Sequence, residues 1–126
     1  MAMKHLIAEV MRRKMLDEKK YGENYEQTNR EVNFIAKTLR VMPKDVHPIE
    51  GLKRFYKVES SIGSCKSSRY CYVETRNTYN SATIYVGNLD DHRYSAFWIH
   101  NGEVFTLREE ETLEQAKRIL KPLIAD

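Results

Sequence analysis

The stretch from Arg69 to Arg108 constrains the fold most, because alternating apolar runs there are divided by turn residues. Its last two runs flank His100-Asn101-Gly102-Glu103. A two-residue Asn-Gly loop accepts the left-handed backbone angles of a type I′ turn, whose twist matches the strands it joins. The pattern predicts four antiparallel strands in chain order, a meander.

Side chains alternate across a strand, so the turns set which residues share a face. With Asn77–Asn80 as a four-residue loop, Thr75/Ala82, Val73/Ile84 and Cys71/Val86 fall on one face, and Glu74/Thr83, Tyr72/Tyr85 and Tyr70/Gly87 on the other. The Asn-Gly turn pairs His100 with Glu103, Trp98 with Phe105 and Ala96 with Leu107, leaving Ile99/Val104 and Phe97/Thr106 opposite. Joining the hairpins through Asn88–His92 sets Val86 near Tyr94 and Ile84 near Ala96. Face one then holds Cys71, Val73, Ala82, Ile84, Val86, Tyr94, Ala96, Trp98, Phe105 and Leu107 and reads as core. Face two gathers Tyr70, Tyr72, Tyr85, Phe97, Ile99 and Val104, with Arg69, Arg76, Arg93 and Arg108 around it. A solvated face does not ordinarily carry so many aromatics, so it is covered by the N-terminal helices or is a contact surface.

Ahead of the sheet, Met3, Leu6, Ile7, Val10, Met11 and Met15 form one face of a helix running to about Lys20. Gly22 ends it. A second helix begins at Asn24 or Thr28, each with a capping-box partner three residues on (Gln27 or Glu31), and carries the stripe Val32, Ile35, Ala36 and Leu39. Pro43 stops it by about Val41. A short third helix is expected from Pro48 to about Phe55, with Ile49, Leu52 and Phe55 or Tyr56 inward. Residues 56–60 read as a short strand, and the serine-rich Ser60–Ser68 as a surface loop whose spacing fits no phosphate-binding motif. Leu113, Ala116, Ile119, Leu120 and Leu123 define a C-terminal helix over 111–124, its acidic start favoured by the helix dipole.

Residues Ile35-Ala36-Lys37-Thr38-Leu39-Arg40-Val41-Met42-Pro43-Lys44-Asp45-Val46 resemble the helix-turn-helix of bacterial and phage DNA-binding proteins. The small Ala36 would let two helices cross closely, with Leu39, Val41 and Val46 filling the angle between them. The resemblance implies a second helix presenting Lys44, His47, Lys53 and Arg54 to DNA. Arg40 replaces the usual turn glycine, and Pro48 and Gly51 interrupt the second helix, so an ordinary helical corner stands beside that reading.

Residues 1–54 hold 12 Lys+Arg against 8 Asp+Glu, and residues 55–126 hold 9 against 10, which puts the basic excess in the front half. Its cations Arg30, Lys37, Lys44, Lys53 and Arg54 are candidate partner-binding residues. On the sheet the candidates are Arg69, Tyr72, Arg76, Tyr85, Arg93 and Phe97, because exposed aromatics with an arginine rim can stack bases and meet phosphates or dock a protein.

With 126 residues, 31% charged and 41% hydrophobic, the chain reads as one globular domain: a mainly helical part over 1–56, the sheet over 69–108 and the final helix. No apolar run is long enough for a membrane span, and Arg12, Arg13 and Lys14 interrupt any secretory h-region, which points to the cytoplasm. Cys65 and Cys71 read as free thiols rather than as metal ligands. Asp90, Asp91 and His92 share a turn and His100 faces Glu103 near a hairpin tip, neither of which makes a catalytic cleft. The expected class is therefore α+β, with two N-terminal helices, a short helix, a four-stranded antiparallel meander and a C-terminal helix. The expected function is a non-enzymatic binding module without cofactor or metal. Its partner is nucleic acid or a nucleic-acid-associated protein. The alternative is a small phage- or mobile-element-type inhibitor or adaptor acting by protein contact, and the aromatic face is also suited to self-association as a homo-oligomer.

Overall fold

The computed structural model describes residues 25–62, 65–75 and 80–124, with side chains described over 26–60, 68–75 and 80–124. The helix expected over Met3–Lys20 lies outside the described residues, as does Arg76. The described chain is α+β: helix α1 (Tyr25–Leu39), a 3₁₀ turn (Pro43–Asp45), strands β1 (Val46–Pro48), β2 (Phe55–Ile62), β3 (Cys65–Thr75), β4 (Ser81–Asn88), β5 (Tyr94–His100) and β6 (Glu103–Leu107), and helix α2 (Glu110–Ile124). All six strands are antiparallel in the order β1-β2-β3-β4-β5-β6. The sheet thus has six strands rather than four, and among the described residues only the 3₁₀ turn, and no α-helix, lies between α1 and α2.

The correction begins at the end of α1. Arg40 adopts φ 58 and the Val41 N–H reaches the Ala36 carbonyl at 3.0 Å. This six-to-one bond is the Schellman stop that glycine usually provides. Pro43 prevents resumption, and β1 pairs with β2, Val46 facing Val58 and Pro48 facing Tyr56. The expected helix over Pro48–Phe55 is instead a tight connection. Gly51 at φ 83 and Arg54 at φ 71 reverse the chain, and the Ile49 N–H bonds the Phe55 carbonyl at 3.1 Å. The second helix of the helix-turn-helix pattern has no counterpart in this extended segment. The serine-rich run is largely strand, since β2 reaches Ile62 and β3 starts at Cys65.

The pairings Cys71/Val86, Val73/Ile84 and Tyr72/Tyr85 are observed, as are Trp98/Phe105 and His100/Glu103. Asn101 and Gly102 both have positive φ, 50 and 82, as a type I′ turn requires. The join between the hairpins is shifted by one residue: Val86 faces Ser95 and Gly87 faces Tyr94. The Asn88 N–H bonds the Arg93 carbonyl at 2.9 Å, which makes Leu89–His92 a four-residue loop, turned by His92 at φ 56. One residue of shift exchanges the faces of β5 and β6. Tyr94, Ala96, Trp98, Phe105 and Leu107 therefore join Tyr72 and Tyr85, while Phe97, Ile99 and Val104 join Val73 and Ile84.

Each face has its own helix. Ile35 and Ala36 of α1 pack with Tyr56, Val58, Cys71, Val73, Ile84, Val86 and Ile99 in the larger core. Ala116, Leu120 and Ile124 of α2 pack with Tyr85 and Ala96, flanked by Phe55, Tyr70, Tyr72, Tyr94 and Leu107. The Tyr72/Tyr85 face is thus covered by the C-terminal helix rather than by the N-terminal ones. Gly87 permits the approach of α2, because a Cβ there would collide with the Ile124 side chain and come within 3.1 Å of the Tyr94 ring.

Candidate functional site

Helix α2 rests on one half of its face. Its sheet partners end at Ala96 and Leu107, and two residues further along the strands Trp98 and Phe105 remain open to solvent, 38% and 42% exposed. The Trp98 ring stacks on His100 with centroids 5.0 Å apart and planes at 11°, and lies 5.3 Å from Phe105. Three rings thus form a continuous aromatic ladder over β5 and β6. The hairpin tip beneath it is tied to the preceding turn. The Asn101 N–H donates to the Asn80 carbonyl at 2.9 Å, and the Asn80 Nδ2 donates to the Asn101 side-chain oxygen.

Strand β6 is also an edge of the sheet. The other edge, β1, is three residues long and ends in Pro48, features that discourage a further strand. By contrast β6 has five residues, no proline, and exposed side chains from Glu103 through Thr106. A free antiparallel edge turns the N–H and C=O of alternate residues outward. In a two-residue hairpin closed by His100 and Glu103, these are Val104 and Thr106.

The residues singled out by sequence do not converge here. Tyr85 is buried under α2, and Tyr72 is half-buried between Phe55 at 4.7 Å and Tyr85 at 6.2 Å. Phe97 is half-buried on the opposite face against the α1 core. Arg69 shares that face with Cys71, and its Nε is buried without a hydrogen-bond partner among the described residues. Arg93 is exposed beside Asp91 at 3.8 Å. Arg30 donates to Gln27 on α1, while Lys37 and Lys44 are exposed on α1 and the 3₁₀ turn. Lys37 comes near the Asn-Gly turn, since a Cβ on Gly102 would lie 3.4 Å from its Nζ. Besides the Tyr72–Tyr85 pair, Lys53 and Arg54 share one place, the β1–β2 connection, where both line a cavity.

That cavity, about 280 Å³, lies between the start of α1 and the β1–β2 connection. Glu31, 1% exposed, lines it. Its Oε1 accepts from the Tyr56 hydroxyl at 2.7 Å and its Oε2 from the Gln27 Nε2 at 2.9 Å. Sequence reading took Glu31 for a capping residue. The usable signal was its position one turn before Ile35 on the buried stripe of α1.

Cys71 is a free, buried thiol whose pKa is pushed up from 9.0 to about 12 by burial, with nearby Arg69 pulling the other way. No group of three or more metal-ligating side chains occurs among the described residues, and none of their helices is long and apolar enough to cross a membrane. Comparison with protein-family models, curated proteins and solved structures finds no match.

Proposed function

We propose that this chain is a non-enzymatic binding module of the inhibitor or adaptor kind, which takes a strand of a partner protein onto β6. The β6 edge, which pairs with no further strand among the described residues, beside the Trp98–His100–Phe105 ladder carries this reading. In strand addition, main-chain hydrogen bonds supply affinity and flanking side chains supply selectivity. Trp98 and Phe105 would grip the added strand from one face, with Val104, 38% exposed, on the other. Tryptophan and aromatic anchors of this kind commonly dominate protein interfaces.

Single-stranded nucleic acid is the second reading, favoured by the near-parallel Trp98–His100 stack, a geometry that can continue into a base. The local charge weighs against it. Glu103 pairs with His100, and Glu74 pairs with Thr83, the neighbour of Trp98, so carboxylates flank the ladder where a phosphate chain would run.

Photo-crosslinking separates the two. A photoreactive residue at Phe105 should capture a discrete protein from lysate of the source cells, whereas one at Lys117, exposed on α2, should not. Capture of oligonucleotide instead, weakening steeply with salt, would transfer the assignment to nucleic acid. Equal labelling from both positions would remove the reading altogether.

A further inference from the structure

The cavity beside Glu31 is a built site distinct from the β6 edge. One wall is α1, where Gln27, Thr28 and Glu31 face inward; the other is the β1–β2 connection, with Pro48, Ile49, Leu52 and Phe55. A carboxylate can accept about four hydrogen bonds. Glu31 accepts two, both from neutral groups, and has no ion-pair partner among the described residues. Withdrawing an unpaired carboxylate from water costs several kcal/mol. A glutamine could accept from Tyr56 equally well, so holding α1 to β2 does not require a charge. A cationic group entering the cavity would use it.

The mouth has the opposite sign. Lys53 and Arg54, both exposed, stand at the rim and disfavour a ligand that is only a cation. The volume lies just below the usual range of about 300–1,000 Å³ for ligand pockets, which suits a small molecule. We propose that this cavity binds a free zwitterion of amino-acid size, its ammonium or guanidinium group against Glu31 and its carboxylate toward Lys53 and Arg54. Ile49, Leu52 and Phe55 would cover the aliphatic part.

The test titrates the full ¹⁵N-labelled chain with L-arginine and with agmatine, which keeps the guanidinium and lacks the carboxylate. L-arginine should give saturable shifts confined to amides of residues 27–31 and 49–56, and agmatine should bind at least about 5-fold more weakly, a loss of one charge-assisted contact. Glu31→Gln should weaken L-arginine by at least about 10-fold, the scale of about 1.4 kcal/mol. Leu52→Trp, which fills the mouth without touching the buried network, should abolish binding and decides the matter if Glu31→Gln fails to fold. The proposal is overturned by the absence of saturable shifts with L-arginine, by equal affinity for agmatine, or by unchanged binding to Glu31→Gln or Leu52→Trp.

Discussion

Two adjacent residues on β5 make the sheet register measurable. Ile99 is 1% exposed against the α1 core, whereas Trp98 points the other way and is 38% exposed. Lysine at position 99 would forfeit the burial of an isoleucine, about 1.5–3 kcal/mol. It would also carry an unpaired charge inward at a cost of several kcal/mol more. The sum approaches the entire stability of an ordinary domain, about 5–15 kcal/mol. Lysine at position 98 would lose ring contacts with His100 and Phe105, worth about 0.5–1.5 kcal/mol each, while its stem lies on the sheet and its ammonium stays in water. Urea unfolding followed by far-ultraviolet circular dichroism should therefore show Trp98→Lys folded with a modestly lowered midpoint and Ile99→Lys unfolded without denaturant. The reverse order is what the register with Val86 opposite Tyr94 demands, with Trp98 in the core, and finding it would refute the assignment of faces.

Three further outcomes follow from single positions. Raising the Cys71 pKa from 9.0 to about 12 means that, above pH 9, the unfolded chain releases a proton the folded chain retains. Stability should then fall between pH 9 and 12 by up to about 1.4 kcal/mol per pH unit from this group, and Cys71→Ala should flatten that part of the pH profile in equilibrium unfolding. Gly87→Ala should cost about 1–3 kcal/mol through its clash with Ile124, and Ile124→Ala, which removes the obstructing atoms, should make the double variant more stable than the sum of the two losses predicts. Arg40→Gly should raise stability by about 0.5–1 kcal/mol in thermal or urea unfolding, because the left-handed backbone at φ 58 strains any residue with a Cβ.

How much of this was legible in the sequence depended on whether a local chemical signal set the geometry. Asn101-Gly102 permits one compact turn, so the β5–β6 register follows from two residues; the Tyr72/Tyr85 register was likewise accessible from the polar loop before Ser81. The Leu89–His92 loop has no such marker. Its last residue reaches the left-handed region without being glycine, and reading the loop as five residues reversed the faces of two strands. Ile49, Leu52 and Phe55 mimic helical spacing, yet they belong to a tight connection whose carbonyls and amides close on themselves. The exposure of Trp98 could not be foreseen because it depends on how far α2 reaches along the sheet. The burial of Glu31 depends on Tyr56, 25 residues away.

The claim that β6 is a docking edge turns on one backbone amide. Thr106 is exposed, and the hairpin register turns its N–H away from β5. Thr106→Pro should remove an outward donor while leaving the β5–β6 pairing intact. Crosslinking from position 105 in this variant, compared with the unsubstituted edge at matched protein concentration, is the most direct measurement. The account predicts that capture of the partner protein falls at least about 10-fold, with the far-ultraviolet spectrum unchanged, as loss of main-chain pairing requires. Undiminished capture by a folded Thr106→Pro chain would contradict it.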